Sequence, residues 1–251
     1  MSRSVVVTGA GQGIGRATVQ RLIDDGWYAV GLERDTRHAA TLARTIGDQG
    51  TSVHGDVTDP DSLARAAAEA MRIAPLRGWV NNAGVMLAGS LDSVSLSDIR
   101  TVLGVNLEGA LLGCRAAVCA MIEQGTPGAI VNISSIHGRR SFAGATAYDV
   151  SKGGVDALTR NVAVEYGPRG IRANAVAPGA IRTPLLQAGI DRAQDPAVVS
   201  RTLEQSPPLL RIGEAHEVAA VVSFLLSDDA AYITGQSLAV DGGWSVTGAT
   251  P

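Results

Sequence analysis

The sequence is short of the residues that build disulfide or metal scaffolds. It holds two cysteines and four histidines in 251 residues. Cys114 and Cys119 are five apart in a stretch that reads as one helix, so they project in diverging directions. Neither a disulfide nor a Cys-x-x-Cys pair follows, and such scarcity fits a reducing compartment. His38, His54 and His216 are scattered, so no metal site is expected. Charge of one sign is lacking too. A formal net charge of −3 gives no electrostatic reason for a nucleic-acid or anionic-membrane partner. No run approaches the roughly 20 apolar residues that cross a bilayer. The opening MSRSVVVTGAG has no apolar stretch ahead of a cleavage site. A cytoplasmic protein is expected, without nucleic-acid or membrane partners. Linkers and low-complexity segments are also missing.

What is present is globular composition: 45% hydrophobic and 18% charged residues, with 30 glycines. That lies well outside the disordered range and suffices for a sizeable core. Short apolar runs alternate with helical stretches from end to end. Val5-Val6-Val7, Tyr28–Leu32, Thr51–His54, Trp79–Val80, Ala129–Ile133, Ala173–Val176 and Ser237–Val240 read as strands. The first and fifth are continuously apolar, as in strands covered on both faces. Val19, Leu22 and Ile23 show helical spacing between the first two.

Asp59-Pro60 reads as a helix N-cap with proline at the first position, Ser95 with Asp98 as a capping box, and Gly26 and Gly170 as helix stops. Repeated βα units imply an α/β fold: a Rossmann-type, doubly wound parallel sheet of about seven strands with helices on both faces. A single domain over 1–251 is expected. The proline-rich region around 185–212 breaks the rhythm and reads as a substrate-loop insertion at one end of the sheet.

TGAGQGIG, residues 8–15, follows the first strand and opens the first helix. Gly9, Gly13 and Gly15 permit a tight turn and a close approach to a pyrophosphate, with Gln12 and Ile14 in the same turn. The helix N-terminus supplies free N–H groups and a favourable dipole. Strand, turn and helix in that order favour dinucleotide binding over an ordinary βα loop. Glu33 ends the second strand, where an acidic side chain accepts from ribose hydroxyls and repels a 2′-phosphate. Arg34 opposes this, because a guanidinium can pair with a 2′-phosphate, although a solvated surface arginine is the simpler reading. NAD is expected ahead of NADP.

Further along come NNAG at 81–84, VNISS at 131–135, TAYDVSK at 146–152 and Pro178-Gly179. With the glycine turn, and with a serine thirteen residues before a TyrXXXLys, the chain resembles the short-chain dehydrogenase/reductases of the single-domain, roughly 250-residue kind. The resemblance runs through Asp241-Gly242-Gly243. It implies that Tyr148 is the general acid/base, Lys152 the cation beside it and the holder of the nicotinamide ribose, and Ser135 the donor to the substrate oxygen. Asn106, in VNLEG, matches the fourth catalytic position, where an asparagine holds a water linking the lysine to solvent.

The chemistry agrees in outline. A free phenol has a pKa near 10. A lysine four residues on shares its helix face and is expected to lower that value. Ser134 is the local rival to Ser135, and the spacing selects Ser135. By resemblance, Asp56 and Val57 contact adenine, Ala83 and Gly84 line the nucleotide cleft, and Ile181 and Thr183 approach the carboxamide. Asn82 contributes to the nucleotide cleft, and is also expected to tie strands together; Asn174 is read as structural.

By position, Met86, Ile136, His137, Phe142, Ala180, Leu185 and Leu186 border a substrate pocket. Their apolar character suits an uncharged ketone or secondary alcohol. His137 either bonds a second polar group of the substrate or is satisfied by backbone. Arg139 and Arg140 are read as exposed or at a subunit interface rather than as carboxylate binders. Asp149 stands where the family commonly has a small residue; it is expected off the Tyr148–Lys152 face, with no catalytic role.

The function expected is reversible, nicotinamide-dependent hydride transfer between a secondary alcohol and a ketone. The alternative is a nucleotide sensor that has lost catalysis, which the intact Asn106, Ser135, Tyr148 and Lys152 oppose. An epimerase or dehydratase of the extended relatives needs a larger C-terminal substrate domain, for which residues after 185 leave no room. A homo-oligomer is expected, a tetramer by resemblance, with the apolar run 217–235 as a candidate surface.

Overall fold

The computed structural model describes residues 2–247. Seven strands form one parallel sheet: β1 (Ser4–Thr8), β2 (Tyr28–Glu33), β3 (Gly50–His54), β4 (Leu76–Asn81), β5 (Gly128–Ile133), β6 (Ile171–Pro178) and a last strand, Ser237–Val240. Their spatial order is β3-β2-β1-β4-β5-β6 followed by that last strand. The order reverses between β1 and β4, so a crevice opens at the carboxyl ends of these two strands. All seven expected strands are present, extended by one to three residues at some ends. The fold is the Rossmann-like one expected.

Helices α1 (Gly13–Asp24), α2 (Thr36–Ile46), α3 (Pro60–Ile73), α4 (Leu96–Leu103), α5 (Gly109–Glu123) and α6 (Thr146–Tyr166) carry the crossovers. In β1 the side chains alternate: Val5 and Val7 join Val19 and Leu22 of α1 on one face, while Val6 joins Leu63 of α3 and Ala117 of α5 on the other. Each fully buried aliphatic side chain contributes roughly 1.5–3 kcal/mol. Two-sided burial is why β1 carries valine at both pleat positions rather than alternating with polar residues.

The caps behave as read at Asp59, whose carboxylate accepts from Asp61 and Ser62 N–H. Ser95 accepts from Asp98 N–H, which caps α4. A reciprocal pair was expected there and occurs instead at α9 (Ala215–Leu226), where Glu217 accepts from Glu214 N–H at 2.7 Å. Between α4 and α5 the chain does not break. Gly104–Glu108 forms a π-helical turn that makes Leu96–Glu123 one continuous helical run of 28 residues. The most apolar window of that run has a mean hydropathy of 1.5 and would pass for a membrane span by length and composition. The sequence reading missed it because Arg115 and Glu108 interrupt the apolar pattern. Half of that window is buried inside the fold, as in a core helix.

The region 185–212 is an excursion pinched at its base. Two-residue strands β7 (Ile181–Arg182) and β8 (Gly213–Glu214) pair in parallel. Between them lie α7 (Pro184–Asp191) and α8 (Pro196–Gln205), each with proline in its first turn. Only Ile190 of these two helices is buried.

Candidate active site

A cleft of about 520 Å³ runs along the carboxyl ends of the strands. One end is bordered by Glu33, Arg34 and Asp56, the middle by Gly9, Gly13, Asn82 and Gly84, and the other end by Ser135, Tyr148, Lys152 and His137. The structure therefore gathers residues from five separate motifs onto one surface.

The glycine turn fits a dinucleotide. Gly9 and Gly13 have φ of 61° and 52°, which disfavours a side chain at either position. A Cβ on Gly9 would also stand 2.8 Å from Ala83 Cα. Gln12, the N-cap of α1, makes no side-chain bond to the first helical N–H groups, so these are left for an anion at the cleft. Asn82 donates to Thr8 and Gly9 carbonyls at 2.9 and 3.0 Å, tying β4 to β1 as expected. Asn174 donates to Ile233 O at 2.8 Å and is structural. Glu33 accepts from Gly11 N–H at 2.9 Å and from Asp35 N–H at 3.0 Å, so its carboxylate is fixed at the mouth of the turn. Arg34 reaches Asp56 at 3.6 Å and is largely exposed, which gives it a carboxylate neighbour already.

At the other end, Tyr148 and Lys152 sit one turn apart on α6. Lys152 is buried, donates to Ile133 O at 2.8 Å, and places Nζ 5.5 Å from the centre of the Tyr148 ring. Ser134 turns away and donates to Lys152 O at 3.3 Å. Ser135 accepts from His137 N–H, makes a long contact, 3.4 Å, to Pro178 O, and faces the Tyr148 phenol, whose pKa it lowers, so its hydroxyl is placed for a ligand beside that phenol. Of the two serines, the geometry leaves Ser135 available.

Three expectations need correction. Burial pushes Tyr148 up to about 12; the Ser135 hydroxyl opposes this, and the Asp149 charge adds to it. Lys152 does not depress the phenol as expected, because its own burial pulls the amine down to about 8. Low dielectric penalises both charged forms together. Second, Asn106 is buried in the π-helical turn and is absent from the cleft wall. Its Oδ1 accepts from Val85 N–H at 2.8 Å, and Nδ2 donates to Val85 O and to Ser151 Oγ. Its side chain is therefore committed to Val85 and Ser151. Third, Gly15 lies behind the turn, against Gly9 O and the Asn82 amide, and does not border the cleft.

Gln12, Ile14, Val57, Ala83, Pro178, Gly179 and Ile181 do border it, as do Met86, Ile136, Phe142, Ala180, Leu185 and Leu186. Thr183 also borders it, while its hydroxyl accepts from Leu186 N–H and caps α7. Arg140 donates to Trp244 O at 2.8 Å, and Arg139 stands 3.9 Å from Asp156, so neither is a free carboxylate binder. Trp244, Leu203 and Val85 line the cleft and were not singled out. They lie far apart in the chain, and no local pattern marks them. Asp149, expected to have no catalytic role, accepts from His137 and from Phe142 N–H. Among the described residues there is no cluster of three metal-ligating side chains.

The family model described as Enoyl-(Acyl carrier protein) reductase matches residues 9–245. Glucose 1-dehydrogenase of Gluconobacter oxydans is 37% identical over 98% of this chain and 93% of its own. Cis-4-hydroxycyclohexanecarboxylate dehydrogenase of Sinomonas cyclohexanicum is 41% identical over 97% of this chain and 96% of its own. A crystal structure of levodione reductase superposes with a TM-score of 0.90 at 36% identity, covering 98% of each chain. The chain belongs to the short-chain dehydrogenase/reductase family. It is an oxidoreductase of the kind that acts on alcohols and ketones with a nicotinamide cofactor, NAD(P), and the non-catalytic alternative is not favoured.

Proposed function

We propose that the protein is an NAD-preferring dehydrogenase/reductase of a secondary alcohol–ketone pair, with Tyr148 as general acid/base. The observation that carries this is the shared cleft: Tyr148, Lys152 and Ser135 meet at one end, and the glycine turn and Glu33 stand at the other. The nicotinamide supplies or accepts the hydride when bound. Gly9, Gln12, Gly13, Ile14 and the free N–H groups of α1 hold its pyrophosphate, Glu33 its adenosine ribose, Asp56 and Val57 its adenine, and Lys152 its nicotinamide ribose.

The chain's own part is proton transfer and orientation. Ser135 donates to the carbonyl oxygen and fixes it against the Tyr148 hydroxyl. In reduction, Tyr148 donates its proton to that oxygen; in oxidation, the phenolate takes it back. With the phenol pushed up to about 12 by burial, the chain alone favours the protonated, donating form. Oxidation by the phenolate would therefore need positive charge beyond what Lys152 supplies in the cofactor-free protein, such as a bound oxidised nicotinamide would bring. Asn106 acts from behind, holding Val85 and Ser151 so that α6 and the cleft wall keep their distance.

The relatives are named for a sugar, a hydroxycyclohexanecarboxylate and levodione, which supports a polar secondary alcohol or its ketone as substrate. The reading includes a single catalytic domain, a homotetramer and a cytoplasmic location.

Tyr148→Phe tests it. Turnover should fall by about 10²- to 10⁴-fold with the NADH dissociation constant near wild type. In the wild type, alcohol oxidation should accelerate as pH rises, because it uses the phenolate, and ketone reduction should slow. Near-wild-type turnover of the phenylalanine variant would falsify the role of Tyr148. The cofactor preference has its own test: kcat/KM should be higher with NAD than with NADP, since Glu33 repels a 2′-phosphate. A clear NADP preference would show that Arg34 leaves Asp56 to bind that phosphate.

A further inference from the structure

His137 and Asp149 lie beside the acid–base group without belonging to it. Asp149 follows Tyr148 in the first turn of α6. Its Oδ1 lies 2.6 Å from His137 Nδ1, and its Oδ2 accepts from Phe142 N–H at 3.1 Å. The two side chains are only 16% and 13% exposed. The imidazole is held in place by aromatic neighbours. Phe142 lies 4.3 Å away between ring centres, and Tyr148 meets it edge-on at 5.1 Å and 84°. His137 borders the cleft with Tyr148 and Ser135, and its other nitrogen, Nε2, has no hydrogen-bond partner among the described residues.

The chemistry of the pair sets what Nε2 offers. A carboxylate has only acceptors. Burial holds the His137 pKa below its ordinary value, and the Lys152 charge acts the same way, against the pull of Asp149. The ring is therefore neutral at pH 7 with its proton on Nδ1, directed at Asp149. Nε2 is then a bare acceptor at the cleft wall. Such an acceptor costs free energy when dry and unpaired, and rewards a ligand that brings a donor.

We propose that His137, held in this tautomer by Asp149, is a specificity-determining residue that accepts a hydrogen bond from a second hydroxyl of the substrate. The substrate class is then vicinal diols and the matching hydroxyketones. The Tyr148 and His137 ring centres are 5.1 Å apart, so a small substrate can meet both, and a hydroxyl on the carbon beside the reacting one is the arrangement the test addresses. Tyr148 and Ser135 take the reacting oxygen, and His137 takes the hydroxyl beside it. This rests on the role proposed above for Tyr148.

The first measurement needs no turnover. In ¹⁵N-histidine NMR of the free protein at pH 7, His137 should show a protonated Nδ1 and an unprotonated Nε2. Asp149→Asn keeps an acceptor for Phe142 N–H and can present an amide donor to Nδ1, so the ring proton should move to Nε2. The second measurement compares cyclohexane-1,2-diol with cyclohexanol, with NAD. Wild type should prefer the diol. Asp149→Asn also removes a charge beside Tyr148, so the readout is a ratio: His137→Phe and Asp149→Asn should each lower kcat/KM for the diol relative to cyclohexanol about tenfold or more. Equal losses on both alcohols would reduce the pair to a loop anchor and overturn the proposal. A wild-type ring protonated on Nε2, or no diol preference, would overturn it too. Turnover of neither alcohol, or of any other alcohol, with the tautomer as stated, would overturn the reading of Tyr148 and this inference with it.

Discussion

Lys152 is a buried amine that donates to a neutral group, the Ile133 carbonyl, at 2.8 Å. Burial draws its pKa down to about 8, against the Asp156 charge. In the unfolded chain the amine titrates near 10.4. The folded state thus binds fewer protons between those values, and the destabilisation is fully present below about pH 8 and relieved as pH rises toward the unfolded value. Lys152→Met should therefore raise the stability of the cofactor-free protein at pH 7, by on the order of 2 kcal/mol, while removing activity. The gap to wild type should narrow between pH 8 and 10. A variant that melts below wild type at pH 7 would show that the ammonium is stabilised where it lies. Tyr148, Lys152 and Ser135 were legible in the sequence because spacing along one helix and one strand end is a local property. The state of charge was not, since it depends on burial set by α5, β5 and the loop after it. The partners of Asp149 were not legible for a related reason. One residue on from Tyr148, it lies about 100° round the helix, away from Lys152. The loop carrying His137 and Phe142 folds back to meet it there, and helical periodicity says nothing of that return.

Among elements, the long strands and crossover helices were legible, because apolar runs and caps report them directly. The two-residue strands β7 and β8 were not, because no periodicity exists over two residues. The π-helical turn at Gly104–Glu108 was not legible either; it follows from where Asn106 finds Val85 and Ser151. Packing of α5 on the sheet depends on one close approach. Trp79 Nε1 donates to Asn81 Oδ1 at 2.7 Å, Asn81 Nδ2 to Asn132 Oδ1 at 2.8 Å, and Asn132 Nδ2 to Thr159 Oγ1 at 2.9 Å. This buried polar chain ties β4, β5 and α6 together, and Gly113 of α5 lies directly over it. A Cβ at Gly113 would overlap Asn81 Oδ1 and come within 3.0 Å of Trp79 Nε1. Gly113→Ala should raise intrinsic helix propensity and still destabilise the protein by about 1–3 kcal/mol, read as a lower urea midpoint with the slope unchanged. A midpoint at or above the wild-type value would mean that α5 can shift outward at no cost.

At the scale of the whole molecule, the homo-oligomer proposed above would be built on the surface that remains apolar. The run 217–235 was the sequence candidate. In the fold, Val218, Ala219, Val222, Leu225 and Leu226 of α9 enter the core, leaving Phe224 and Tyr232 exposed. Most of that hydrophobicity is therefore accounted for inside one chain. The outer faces of α5 and α6 present more: Leu111 and Ile122 on the first, Val150 and Val164 on the second, with Val164 79% exposed. Exposed apolar side chains on two neighbouring helices offer a candidate interaction surface. A tetramer that uses these faces would bury Val164 in each interface, where an unpaired carboxylate is costly. Val164→Glu should then shift the sedimenting species to a smaller assembly at micromolar concentration while leaving the secondary structure intact. On a solvent-facing helix the same substitution changes stability by no more than about 0.5 kcal/mol. An unchanged mass in the variant, with wild type assembled, would exclude the α6 face and return the α9 end, with Phe224 and Tyr232, to the leading position.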